Sequence, residues 1–161
     1  ADTKLEALRV LVKACGADGM VGGQVLDTVY NVDTAGGLTQ LNRLKTGVMI
    51  SGAAELGCVA AKMNQGMRSQ ALAYADGIGK AFQIRDDILD VTSTMEELGK
   101  PVFSDEKNEK TTYVTLFGTD GAEQEVKRLT KEAVDELKNL SCPGDKIFLE
   151  ELFESLTSRK K

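Results

Sequence analysis

The chain has 161 residues, no histidine, three cysteines and a formal net charge of -5 at pH 7. Without histidine, a Ser-His-Asp or Cys-His mechanism and a His-ligated metal are excluded within this chain. The acidic balance, with no basic stripe, argues against nucleic acid as a partner. Scarce proline and plentiful Ala, Leu, Lys and Glu point to an all-α protein whose residues 1–161 form one domain.

Cys15, Cys58 and Cys142 are scattered and lack C-x-x-C spacing. They read as reduced thiols of a cytosolic protein and not as a disulfide frame or a zinc site. No apolar run approaches membrane-spanning length and no signal-peptide pattern is visible, so the expected location is cytoplasmic, without stable membrane insertion. The first residue is Ala1, and the helical pattern begins at once with Leu5, Leu8, Leu11 and Val12. Removal of a starting Met explains this opening, and so does a cut inside a longer protein.

In chain order, residues 3–15 read as an amphipathic helix that weakens at Cys15-Gly16-Ala17. Residues 20–27 carry small side chains suited to close helix packing, and 28–37 read as a loop ending in Gly36-Gly37. A helix over 38–56 stops at Gly57. A long helix follows over 65–91, with Leu72, Ala75, Ile78, Phe82, Ile88 and Leu89 among its apolar positions, and Thr92-Ser93-Thr94 breaks it. Thr94 and Glu97 fit a capping box for a short turn at 95–98, and 99–110 is a polar loop. A short helix at 111–117 precedes Gly118 to Gly121, and a charged amphipathic helix occupies 120–140. Cys142-Pro143-Gly144 is a turn, and the last helix, 145–158, points Ile147, Leu149, Leu152, Phe153 and Leu156 inward.

Asp86, Asp87 and Asp90 form D-D-x-x-D near the end of the long helix. Three- and four-residue spacing sends all three toward one side, where like charges repel and the helix C-terminus disfavours anions. Such a cluster is either a solvated acidic patch or a cation site. Apolar neighbours before and between the carboxylates (Phe82, Ile88, Leu89) favour the lining of a cavity, where charge needs partners. An all-oxygen donor set suits Mg2+, and Mn2+ fits it too, with phosphate oxygens completing the shell. Lys45 in Lys45-Thr46-Gly47 and Lys100 in Gly99-Lys100-Pro101 are candidate diphosphate binders, with Lys110 a weaker one. Each also fits an ordinary lysine at a helix edge or in a loop.

Five segments occur in one order: Gly22-Gly23-Gln24-Val25-Leu26-Asp27, Lys45-Thr46-Gly47, Phe82 through Asp90, Leu98-Gly99-Lys100 and Lys110-Thr111-Thr112-Tyr113. In this order they resemble the C-terminal half of the trans-type isoprenyl diphosphate synthases (polyprenyl synthetases), specifically the bacterial farnesyl diphosphate synthase or geranyltranstransferase group. The resemblance implies a helical bundle of the isoprenoid synthase type around a large cavity, usually in a homodimer. It implies a prenyltransferase that condenses dimethylallyl or geranyl diphosphate with isopentenyl diphosphate to give farnesyl diphosphate. By the same resemblance Asp86 matches a direct Mg2+ ligand, and Asp87 and Asp90 match its supporting partners. Lys45, Lys100 and Lys110 match lysines on the allylic diphosphate, and Thr46 and Gln83 match residues whose oxygens face the allylic cation. Gln24 and Asp27 match a motif of helix packing and site support.

The family's first Asp-rich motif and its isopentenyl diphosphate segment have no counterpart here, and Asp135-Glu136 and Glu150-Glu151 do not replace them. The chain is therefore expected to hold half a clamp, to be inactive alone, and to expose apolar surface that promotes self-association. A geranylgeranyl or longer-chain synthase is an alternative, because the residues that set product length in this family lie outside this chain. A non-catalytic scaffold subunit is another, though such subunits tend to lose the Asp cluster. A terpene cyclase is disfavoured by Lys45-Thr46 and Gly99-Lys100, which follow the chain-elongating pattern.

Overall fold

Helix α5 (Gln65–Leu98) is the longest element, and residues 43–60, 113–139 and 146–158 pack on it. The structure, a computed structural model, describes residues 2–30, 32–98, 111–141 and 144–159, with the backbone alone over 93–98. Among these residues all regular structure is helical. Before α5 come α1 (Asp2–Cys15), α2 (Met20–Val29), α3 (Ala35–Asn42), a π-helical turn (Arg43–Gly47) and α4 (Val48–Ala60). After it come α6 (Tyr113–Asn139) and α7 (Lys146–Ser158).

The core lies between α5, α6 and α7. On α5, Tyr74, Ile78, Ala81, Ile84 and Ile88 are buried at helical spacing and meet Val126, Leu129 and Leu137 of α6. Gly77 permits this approach, since a Cβ there would lie 2.7 Å from Ala133 Cβ. From α7, Phe153 is fully buried and meets the Tyr74 ring edge-on, with centroids 5.9 Å apart and planes at 84°. Burying such a ring contributes about 2 to 3 kcal/mol. The Tyr74 hydroxyl, taken out of water with it, donates to Leu149 O at 2.5 Å.

Several boundaries differ from the sequence expectation. Gly36 and Gly37 belong to the first turn of α3, because the Thr34 hydroxyl accepts the Gly37 N–H at 3.1 Å and caps the helix before them. The expected helix over 38–56 is broken in register by the π-helical turn. Gly57 does not end α4. The chain turns at Lys62, whose φ of 53° is left-handed, with Met63 N–H on Cys58 O (3.0 Å) and Lys62 N–H on Val59 O (3.1 Å). Helix α5 passes through Thr92-Ser93-Thr94 without a break, so Thr94 is not an N-cap. The Thr92 hydroxyl folds back onto Ile88 O at 2.9 Å and so finds a partner inside the helix.

The loop expected at 99–110 lies outside the described residues, as do Cys142 and Pro143. The interruption expected near Gly118 is a kink inside α6, where Gly118 adopts φ 71°. Thr112 and Thr115 form the capping box that starts α6. On α7 only part of the expected face turns inward: Phe153 is buried, whereas Ile147 and Leu152 are exposed, because α5 and α6 cover one narrow stripe.

Helix α1 is amphipathic as expected, yet Val10 and Ala14 are its buried residues, facing α4. Leu5, Leu8, Leu11 and Val12 are exposed, as are Val21, Val25 and Val29 of α2. Apolar area of this kind matches the open surface expected from the sequence. No helix among the described residues is long and apolar enough to cross a membrane.

Candidate functional site

The π-helical turn brings the site together. Its consecutive residues Lys45 and Thr46 point toward different neighbours, as adjacent residues of a helix do. Lys45 turns to α2, where its Nζ donates to Asp27 Oδ2 at 2.7 Å. Thr46 turns to α5, where its Oγ1 donates to Gln83 Oε1 at 3.2 Å. Gln83 Nε2 in turn donates to Asp87 Oδ1 at 3.2 Å, one helical turn further along α5. The backbone N–H of Tyr113 closes the chain on Asp87 Oδ2 at 3.1 Å. Three of the candidate residues, Thr46, Gln83 and Asp87, are thus joined by hydrogen bonds, while Lys45, next to Thr46 in the chain, pairs with Asp27 of α2.

Asp87 is the buried acid of this set. Burial pushes its carboxyl above the usual carboxylate range, and the nearby Asp90 charge adds to that. The Tyr113 N–H, the Gln83 amide and the Lys45 charge pull the other way without cancelling it. Asp86 faces elsewhere. It accepts from Arg159 Nη2, and the Arg159 guanidinium lies over the Phe82 ring, 4.3 Å from its centroid. Arg85 fixes the same strand of chain by donating from Nε to Arg159 O at 2.9 Å while its Nη1 meets Glu123 at 2.5 Å. Asp90 is exposed.

The three carboxylates therefore do not converge. Adjacent residues on a helix point about 100° apart, and Asp86 and Asp87 are each drawn to a donor on their own side. Among the described residues no group of three acidic, His or Cys side chains is arranged to hold a metal ion. In donor chemistry the three carboxylates still suit Mg2+ or Mn2+, with the half-buried Asp86 and the exposed Asp90 four apart on α5. Lys100 and Lys110 lie outside the described residues.

Asp27, expected only as site support, is a direct partner of Lys45, whereas Gln24 is exposed. Two participants are not named as site residues from the sequence. The Tyr113 amide acts through the backbone. Arg159 reaches Asp86 across a separation of 73 residues.

Residues 2–147 match the polyprenyl synthetase family. The chain is 35% identical over 149 residues to a farnesyl diphosphate synthase of Micrococcus luteus, covering 91% of this chain and 51% of that protein. It is 33% identical over 140 residues to a geranylgeranyl diphosphate synthase of Cyanophora paradoxa, covering 85% and 47%. A crystal structure of an FPP/GFPP synthase from Zymomonas mobilis superposes with a TM-score of 0.79 at 29% identity, covering 96% of this chain and 51% of that one. The chain spans about half the length of the curated relatives it matches.

Proposed function

The chain belongs to the polyprenyl synthetase family, and from that membership we propose that residues 1–161 are the C-terminal portion of one polyprenyl synthetase domain. In this reading the whole protein is a trans-prenyltransferase. It joins dimethylallyl or geranyl diphosphate to isopentenyl diphosphate and releases farnesyl diphosphate, as a cytoplasmic homodimer.

The observation that carries the reading is the hydrogen-bonded run Thr46, Gln83 and Asp87, with Lys45 beside it in the π-helical turn and its charge acting on Asp87. Lys45, Lys100 and Lys110 supply positive charge to the allylic diphosphate as it departs. Because the Thr46 hydroxyl donates its hydrogen bond to Gln83 Oε1, its lone pairs are left to face the allylic cation. The proton lost at the end of the condensation passes to the released diphosphate, so no histidine is needed. Asp86, Asp87 and Asp90 would hold Mg2+, which neutralises diphosphate charge.

The test is calorimetric titration of residues 1–161 with inorganic pyrophosphate, with and without Mg2+. Binding is expected to require Mg2+ and to weaken about thirtyfold in Lys45→Ala, the scale of one lost charge-assisted hydrogen bond. Purified 1–161 is expected to form no farnesyl diphosphate. Mg2+-independent binding that ignores Lys45 would sink the reading, and farnesyl diphosphate formation by 1–161 would sink the expectation that this chain is inactive alone. A geranylgeranyl product is the second reading, favoured by the Cyanophora relative, whose identity is within two points of the Micrococcus one.

A further inference from the structure

We propose that Gly23 and Asp27 of α2 are positioning residues for Lys45, acting on the π-helical turn from one side. This rests on the diphosphate role given to Lys45. Gly23 and Asp27 are four apart and so share a face of α2. At Gly23 that face lies directly on backbone. A Cβ there would stand 2.6 Å from both Lys45 Cα and the Leu44 carbonyl carbon, atoms with no rotamer to escape into. One turn on, Asp27 takes the Lys45 ammonium. Lys45 is thereby fixed at both ends, its Cα by the absence of a side chain at Gly23 and its Nζ by a carboxylate.

The other side of the turn is set the same way. A Cβ at Gly79 of α5 would come within 3.0 Å of Gly47 Cα. A π-helical turn is wider than an α turn, and here glycine backbone leaves it room on both sides. In the turn so held, Lys45 faces α2 while Thr46 meets Gln83 on α5. Gly57 offers the contrast, since a Cβ there meets nothing within 4 Å.

The test is competitive acetylation of residues 1–161, read lysine by lysine by mass spectrometry, in wild type, Gly23→Ala, Asp27→Asn and Asp27→Glu. The same proteins are titrated with inorganic pyrophosphate and Mg2+. Lys80, ion-paired with Asp76 within α5, serves as the internal reference.

Gly23→Ala and Asp27→Asn are expected to speed acetylation of Lys45 about three- to fivefold relative to Lys80, the scale of a partly exposed ion pair. Both are expected to weaken pyrophosphate binding, with Asp27→Glu restoring part of it and Gly57→Ala changing neither readout. Unchanged Lys45 reactivity in both variants would overturn the proposal, and Asp27→Asn alone decides it if Gly23→Ala does not fold. Raised Lys45 reactivity, with pyrophosphate bound equally by wild type and Lys45→Ala, would uphold the positioning and overturn the diphosphate role instead.

Discussion

The Asp87 carboxylate accepts the backbone N–H of Tyr113, the first residue of α6, at 3.1 Å. One side chain thus sits among the candidate metal ligands and also satisfies a donor at a helix N-terminus, where an anion is favoured. Burial works against that anion.

Asp87→Asn separates the two roles. Burial holds the folded-state pKa of Asp87 above its ordinary 3.8. The stability this contributes is complete below the unfolded value and is lost as pH rises through the folded one. The melting temperature of Asp87→Asn should therefore gain on that of wild type as pH is raised from below the ordinary value to neutrality. Its Mg2+-dependent pyrophosphate binding should weaken about tenfold or more. Thermal melts across this range check the first part, and a wild type that gains on the variant with rising pH would refute it.

Arg159 already supplies a cation to Asp86, so it competes with any metal there. Arg159→Ala is expected to tighten Mn2+ binding by up to about fivefold, the range of a partly exposed ion pair. Electron paramagnetic resonance of free Mn2+ gives the number. No change would mean that Asp86 is not a metal donor.

Tyr74 carries a prediction at high pH. Burial pushes its hydroxyl up from 10.0 to about 12, with the Glu150 charge contributing. Stability from the neutral phenol is intact below pH 10 and lost as pH rises through 12. Urea melts should show wild type weakening across that interval more than Tyr74→Phe. At pH 7 the variant should be about 1 kcal/mol less stable, for loss of the bond to Leu149 O.

Lys62 pays a steric penalty in the left-handed region that glycine does not. Lys62→Gly is expected to stabilise the chain by about 1 kcal/mol, measured by chemical denaturation. Gly57→Ala, at an open helical position, should add roughly 0.5 to 1 kcal/mol.

The helical class, the long axis of α5 and the inward face of α6 follow from spacing, because apolar periodicity records which side of a helix is covered. Spacing is silent on what does the covering. Leu5 and Leu8 form a clear stripe and yet are exposed. Gly57 resembles a helix stop because glycine tolerates left-handed backbone, while Lys62 adopts that backbone in fact. Thr92 resembles a breaker, but its hydroxyl satisfies itself on the preceding turn. At the site, the motifs around Lys45 and Asp86 point to segments that the fold brings near one another. The routing of Lys45 to Asp27, Asp87 to the Tyr113 amide and Asp86 to Arg159 is tertiary, and no local pattern encodes it.

The π-helical turn also gives this stretch of chain one residue to spare. That surplus residue rotates everything after Gly47 by about 100° relative to an uninterrupted helix of the same sequence. A deletion inside Arg43–Gly47 would close the segment into an ordinary α turn and leave Gly52, Cys58 and Val59 on the buried side of α4, while the side chains of the turn itself are re-aimed. The same deletion between Val48 and Gly52 has no wider turn to absorb it and would swing Cys58 and Val59 away from their buried places. The position of a missing residue, more than its identity, decides whether the two helices stay in phase.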